Sequence, residues 1–216
     1  MRMTGIMVAV MAALSLFTPG HGRCDELSES YFPLKTGMRW EYTVASTQGQ
    51  TQKLLITNLA PREVSGAKVT PRKWELGGAI FIEFIKQDNN GTYRYAEQPG
   101  EDAPPHLITP MECHLKFPIT EGDNWNMATK VGNSMVNLTL TIDSVADEVK
   151  VPAGTFKECV KIKQVSQNAA DPDVLGYEWY APKVGVVKSM VTIKQKTKEG
   201  TASSENRIYE LVSFKP

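Results

Sequence analysis

Apolar and polar side chains alternate most regularly over residues 134–145. Successive side chains of a β-strand point to opposite faces of a sheet, so a period of two indicates a strand with one buried face. The residues that share the apolar side are Val136, Leu138, Leu140 and Ile142. The pattern predicts a half-buried antiparallel strand.

Shorter segments elsewhere are rich in β-branched and aromatic residues and are separated by turn-forming clusters. They are residues 40–45, 53–60, 68–76, 79–87, 92–97, 157–165, 175–181, 186–196 and 207–214. Beyond the N-terminal region, no long segment has the 3.6-residue period of an amphipathic helix. We therefore expect an all-β, mostly antiparallel protein.

One nine-residue phrase occurs twice, as FPLKTGMRW at residues 32–40 and as FPITEGDNW at residues 117–125, 85 residues apart (117 − 32). Phe, Pro, Gly and Trp recur in register while the residues between them change. Proline and glycine suit a turn and tryptophan suits the strand that follows, so the phrase is typical of a structural turn that leads into a strand. We interpret it as the start of each of two related halves.

The first half is predicted to cover residues 23–98 and the second residues 111–216, with a linker at residues 99–110 that begins in a Pro- and Gly-rich stretch. At this length the two halves, residues 23–216 together, are expected to form one compact domain. The expected architecture is a curved antiparallel sheet or a flattened open barrel.

The N-terminus has the pattern of a secretory signal peptide, with Arg2, an apolar run at residues 6–17 and small residues up to position 22. We expect cleavage of residues 1–22 and export, to the periplasm or the outer membrane of a bacterium. The apolar run is too short for a comfortable membrane span. Cys24 stands where a lipidated cysteine would, although Arg23 replaces the small residue that usually precedes one.

Charge and cysteine content narrow the function classes. The chain has 24 basic and 24 acidic residues, so it lacks the basic excess of a nucleic-acid-binding protein. Cys113 and Cys159 are the candidate disulfide partners in an oxidising compartment. The alternative for these two residues is a pair of buried free thiols.

Candidate catalytic groups are few. Beyond the signal segment the only histidines are His106 and His114, and the sequence contains no nucleophile-elbow, zinc-protease, phosphate-loop or dinucleotide motif. Glu112 and His114 would share one face of a strand, but no second group of ligands accompanies them. We expect no metal, no cofactor and no enzymatic activity. A hydrolase that uses acidic residues is the weakest alternative.

Four aromatic residues are candidates for lining a ligand cavity: Trp40, Trp125, Trp179 and Tyr180. The two tryptophans of the repeated phrase occupy equivalent positions, and the other two residues belong to one aromatic strand. Large rings at such positions are more often core anchors. Both interpretations are consistent with an all-β fold.

Three segments carry a resemblance to a known family. The phrase at residues 32–42, VPAGTF at residues 151–156 and WYAPKVGVVK at residues 179–188 resemble exported bacterial β-proteins of unknown function. Some of these are lipoproteins or are similar in build to the periplasmic lipoprotein carriers, which implies a curved open sheet around an apolar cavity. The chain departs from the family at Lys183, where glycine is usual, so a different turn is expected there.

These observations favour a non-catalytic envelope protein that binds an apolar or amphipathic ligand, such as a lipid or a lipoprotein acyl chain, in a concave sheet. The alternative is an interaction or structural module of a cell-envelope assembly, with an envelope protein as its partner. That alternative predicts a filled core and an exposed apolar patch instead of a cavity.

Overall fold

A computed structural model describes residues 31–47, 49–167, 172–196 and 202–216. The predicted signal segment and Cys24 lie outside the described residues. Within these ranges, no helix has the length and apolar composition needed to cross a bilayer.

The described residues form strands along almost their whole length. The first seven are β1 Arg39–Ser46, β2 Gly49–Asn58, β3 Arg62–Val64, β4 Ala67–Leu76, β5 Ala79–Asp88, β6 Gly91–Pro99 and β7 His106–Lys116. The remaining six are β8 Asn124–Val131, β9 Ser134–Val151, β10 Gly154–Ser166, β11 Asp173–Ala181, β12 Gly185–Lys196 and β13 Ala202–Lys215. The predicted all-β class is therefore confirmed.

The strands form one antiparallel sheet that curls until it nearly closes. Its spatial order is β7-β6-β5-β4-β2-β1-β13-β12-β11-β10-β9-β8, with the short β3 paired to β4. Two meanders, each running along the chain in hairpin steps, are thus joined where β1 pairs with β13. β7 and β8 face each other at the one seam that no continuous ladder closes, so the sheet is the open barrel that the sequence predicts.

The regular alternation over residues 134–145 produces the expected buried face. Val136, Leu138, Leu140 and Ile142 of β9 are each at most 2% exposed. They belong to a first core cluster that also contains Ile85 and Leu115, from strands on the far side of the sheet order. Residues so distant in the sheet meet only because the sheet closes on itself, so this cluster lies inside the barrel.

A second interior cluster surrounds Trp40 and Leu54 of the first two strands, together with Leu211 of β13. A third cluster lies on the outer face, where the β3–β4 hairpin covers Phe84. Ile85 faces the barrel interior, so Phe84, which stands between Glu83 and Ile85, points to the outer face. Phe84 is nevertheless fully buried. The hairpin therefore explains why β5 has apolar residues on both sides.

The two copies of the repeated phrase make matching backbone hydrogen bonds. The Gly37 amide donates to the Asn58 carbonyl at 2.9 Å and the Asn58 amide donates to the Met38 carbonyl at 3.0 Å. In the second copy the Gly122 amide donates to the Ile142 carbonyl at 2.8 Å. The Ile142 amide completes that pattern with a bond to the carbonyl of Asp123 at 2.9 Å.

Both glycines have a positive φ, 86° at Gly37 and at Gly122, which an L-residue rarely adopts. Each phrase therefore turns the chain into a strand with the same geometry. β7 begins at His106, inside the segment 99–110 that the sequence indicates as a linker. The division into two related halves stays a prediction.

The seam between β7 and β8 is bridged by a side chain. The indole Nε1 of Trp125 on β8 donates to the carbonyl of Cys113 on β7 at 2.8 Å. Near one end of β7, the Phe117 amide donates to the Asn90 carbonyl at 2.8 Å. The second tryptophan of the repeated phrase thus links the two edge strands.

In the structure Cys113 and Cys159 are free thiols, which is the second of the two alternatives that the sequence leaves open. Cys113 lies on β7 opposite Tyr93, whereas Cys159 lies on β10 in the second core cluster. The Cys159 thiol donates to the Phe156 carbonyl at 3.6 Å. Burial raises the pKa of each thiol to about 11, so both are protonated at neutral pH.

The turn between β11 and β12 places Lys183 at φ 63°, in the left-handed region that favours glycine. Gly185 two residues later has φ 90°. Lys183 therefore adopts a conformation that has a steric cost for a residue with a Cβ.

We expect Lys183→Gly to raise the free energy of unfolding by up to about 1 kcal/mol, because glycine adopts this φ without a Cβ clash. The matched control is Lys150→Gly at an exposed position of β9, where glycine should cost about 0.5–1 kcal/mol. Urea unfolding followed by circular dichroism measures both. If the two variants lose stability equally, the strain at Lys183 is not present.

We also expect peptide mapping of protein purified without reductant to find Cys113 and Cys159 unlinked. In the native state at pH 8 alkylation should be slow, since only about one thousandth of a thiol with so high a pKa is ionised. Alkylation after unfolding is the control. A peptide that links the two cysteines would contradict this result.

Candidate functional site

A cavity of about 310 Å³ lies inside the barrel. Nine strands, β1, β2, β4, β5, β7, β10, β11, β12 and β13, together with Phe32, supply its walls, so it lies where the opposite sides of the sheet face each other. Its apolar and aromatic lining consists of Phe32, Tyr42, Leu54, Ile56, Trp74, Tyr177, Tyr180, Val186, Met190, Val191 and Tyr209. Its polar lining consists of Arg72, Glu83, His114, Gln164, Glu178 and Ser189.

A row of polar side chains crosses the first meander beside this cavity. Asn58, Arg72 and Glu83 are successive cross-strand partners on β2, β4 and β5. Arg94 and Glu112 are partners on β6 and β7, and Arg94 Nη1 lies 3.7 Å from Glu83 Oε1. The charges therefore alternate along the row, which is the arrangement that lets ionised groups remain in a desolvated interior.

Arg72 is 7% exposed and is held mainly by neutral groups. Its Nε donates to Asn58 Oδ1 at 3.0 Å and its Nη2 to the Pro33 carbonyl at 3.4 Å. The guanidinium lies over the rings of Phe32 and Trp40, at 4.3 and 4.8 Å from their centroids. Burial lowers the pKa of Arg72, while Glu83 opposes that shift.

Glu83 and Glu112 compensate the positive charge of Arg94. Arg94 Nη2 lies 2.7 Å from Glu112 Oε2, and the indole of Trp74 donates to Glu83 Oε2 at 3.0 Å. Burial raises the pKa of Glu83, and the positive charges of Arg94 and Arg72 partly counter it. At its β7 end the row therefore finishes in the Arg94–Glu112 ion pair, which is almost fully buried.

The second meander contributes a carboxyl group of a different kind. Glu178 Oε2 accepts a hydrogen bond from the hydroxyl of Tyr180 at 2.6 Å. Among the described residues, no basic side chain lies within 4.0 Å of Glu178. Burial raises the pKa of Glu178, and the Tyr180 hydrogen bond works against that shift.

His114 lines the cavity from β7. Its Nε2 is buried and has no hydrogen-bond partner among the described residues. Burial, with the nearby charges of Arg94 and Arg72, lowers the pKa of His114 to about 3, so the ring is neutral at physiological pH. It adds no charge to the cavity.

The sequence pattern also raised Glu112 and His114 as a pair of metal ligands. Glu112 is instead engaged by Arg94. In the part of the chain that the structure describes, no group of three or more His, Cys, Asp or Glu residues is arranged to hold a metal ion.

The four aromatic candidates occupy different places. Tyr180 lines the cavity, and Trp40 lies behind its wall, where the indole donates to the Val184 carbonyl at 2.7 Å. Trp125 bridges the seam. Trp179 donates to Asp147 Oδ2 at 2.8 Å and is not among the residues that line the cavity.

Sequence reasoning did not identify Arg72, Trp74, Glu83 or Glu178 as cavity residues. Arg72 and Trp74 are two apart on β4, so they share a face, and that spacing was the available signal. It was weak, because a basic residue in a strand is more often on the solvent side. Only the pairing of β4 with β2 and β5 places these side chains inside.

Comparisons with known proteins find distant similarity. The family model described as DUF3108-like matches residues 112–203, less than half of the chain, and that stretch includes the VPAGTF and WYAPKVGVVK segments. No curated protein matches this chain significantly.

Two crystal structures show a distant similarity to this chain. One is a predicted lipoprotein from Parabacteroides distasonis, 14% identical, with a TM-score of 0.40 over 86% of this chain and 98% of that one. The other is a predicted exported protein with a YmcC-like fold from Bacteroides fragilis, 18% identical, with a TM-score of 0.46 over 87% and 99%. No function transfers at such distances.

We expect His114→Gln to reduce the decrease in the free energy of unfolding that occurs in mild acid. The unfolded histidine takes up a proton below its ordinary pKa of about 6.5, whereas the folded one stays neutral down to about pH 3, so the wild-type chain loses stability as pH falls through that window. Between pH 7 and pH 5 this loss is about 2 kcal/mol for one such histidine.

Urea unfolding at both pH values measures the effect, and His106→Gln at an exposed position is the control. His106→Gln should keep the wild-type pH dependence. If His114→Gln also keeps it, burial of the neutral ring is not the cause of the acid sensitivity.

Proposed function

We propose that this protein is an exported envelope protein that binds an apolar or amphipathic ligand, a lipid or an acyl chain, without catalysing a reaction. The observation that carries the proposal is the cavity inside the barrel, which aromatic and aliphatic side chains line on most sides. Export rests on the signal-peptide pattern of residues 1–22.

The lining suits an amphipathic ligand. Ligand pockets are typically concave, mostly apolar and equipped with a few polar groups that orient the bound molecule, with volumes of about 300–1,000 Å³. The cavity, at about 310 Å³, is at the small end of that range. Leu54, Ile56 and Val191 offer an apolar surface for a chain, while Arg72, Glu83 and Glu178 offer polar contacts at the same cavity.

A second candidate function is an interaction module of an envelope assembly. The observation that favours it is the edge strand β7, which exposes Leu107 at 50% and Met111 at 36% beside the seam. An edge strand with exposed apolar side chains is a site where another chain can pair.

Native mass spectrometry of the mature protein purified from the envelope fraction, with organic extraction of what co-purifies, tests the main proposal. We expect a stoichiometric apolar adduct, or uptake of added lipid by clean protein. Val191→Trp should abolish uptake, because a large ring placed at the cavity wall fills it.

The matched control is Val165→Trp, which adds the same ring at an exposed position of β10. It should bind like the wild type, and circular dichroism should show both variants folded. Clean protein that takes up no lipid would contradict the proposal, and partner capture on β7 would then be the next experiment.

A further inference from the structure

The charges around the cavity balance except at one group. In the row on the first meander, the cavity-lining Arg72 faces Glu83, while Arg94, which does not line the cavity, pairs with Glu112, Glu83 and Glu97. Glu178 stands outside this row, on β11 of the second meander. With His114 neutral, the interior retains one carboxyl group without a basic counterpart among the described residues.

The surroundings of Glu178 are those that favour a positive charge. Tyr42 and Tyr180 line the same cavity, and the Tyr180 ring lies 6.2 Å from that of Phe32 at their centroids. Aromatic faces attract cations, most strongly where water is excluded, and a carboxylate beside them adds direct charge attraction. An amine that enters this cavity would meet both.

An anionic group would be less well accommodated. In the described part of the chain, Arg72 is the only positively charged side chain that lines the cavity, and it is already stacked on two rings and hydrogen-bonded to Asn58 and Pro33. An anion beside it would also lie near Glu83, its cross-strand partner. Like charges in a desolvated site repel strongly.

From this imbalance we infer that the cavity is selective for a cationic amphiphile, a molecule with an apolar chain and an amine or quaternary ammonium group that pairs with Glu178. The inference rests on the proposed function, since it names the headgroup of the ligand that the cavity takes. Glu178 is then a binding residue that fixes which end of the ligand lies against β11.

The test compares decylamine, decanol and decanoate, which share one chain length and differ in charge, below their micellar concentrations by isothermal titration calorimetry. Decylamine is expected to bind wild-type protein at least about tenfold more tightly than the other two. Glu178→Gln keeps an acceptor for the Tyr180 hydroxyl and removes the carboxyl group that pairs with the amine, so it should reduce that preference to about twofold or less.

Glu148→Gln is the matched control, because Glu148 is 60% exposed on β9, and it should keep the full preference for the amine. If Glu178→Gln does not fold, the ranking of the three ligands on wild-type protein still decides, and Tyr180→Phe, which keeps the Glu178 carboxyl group, should retain the preference. Equal binding of all three ligands, or tightest binding of decanoate, overturns the inference alone. Binding of none of them overturns the proposed function as well.

Discussion

The pairing of β1 with β13 is the interaction on which the rest of the structure depends. It joins the first strand of the described chain to the last, with Trp40 opposite Phe214, and it is the ladder that unites the two meanders into one sheet. Side chains of β1 reinforce it from inside: Trp40 and Tyr42 donate to the carbonyls of Val184 and Val186, each at 2.7 Å. Contacts between such distant residues have a large loop-closure cost and make folding slow.

Closure explains how the interior tolerates charged groups. A flat sheet would leave Arg72 and Glu83 in water, whereas the curled sheet buries both. Removing ions from water costs free energy, and the alternation of charges from Arg72 through Arg94 to Glu112, with the aromatic faces on Arg72, offsets part of that cost. Beside this row, large hydrogen-bonded rings line the cavity without filling it.

The seam between β7 and β8 is the place where the curled sheet does not close. β7 and β8 follow each other along the chain, yet among the described residues the Trp125 indole and local contacts alone join them, while each forms a ladder with its other neighbour. Closed barrels remove exposed edges, and this sheet stops just short of closure. The exposed edge of β7 thus follows from the position at which the curled sheet remains open.

The sequence by itself determined the all-β class, most strand positions and the buried face of β9, because alternation between Val136 and Ile142 is a local property of an extended chain. It also indicated Tyr180 as a cavity candidate. It did not locate Arg72, Glu83 and Glu178, and it left open whether Cys113 and Cys159 pair. Which charged side chains face inward, which residues meet across the cavity and which cysteines approach each other depend on strand pairing and closure. Those are relations between distant residues, and the tertiary structure decided them because no local pattern encodes which strands become neighbours.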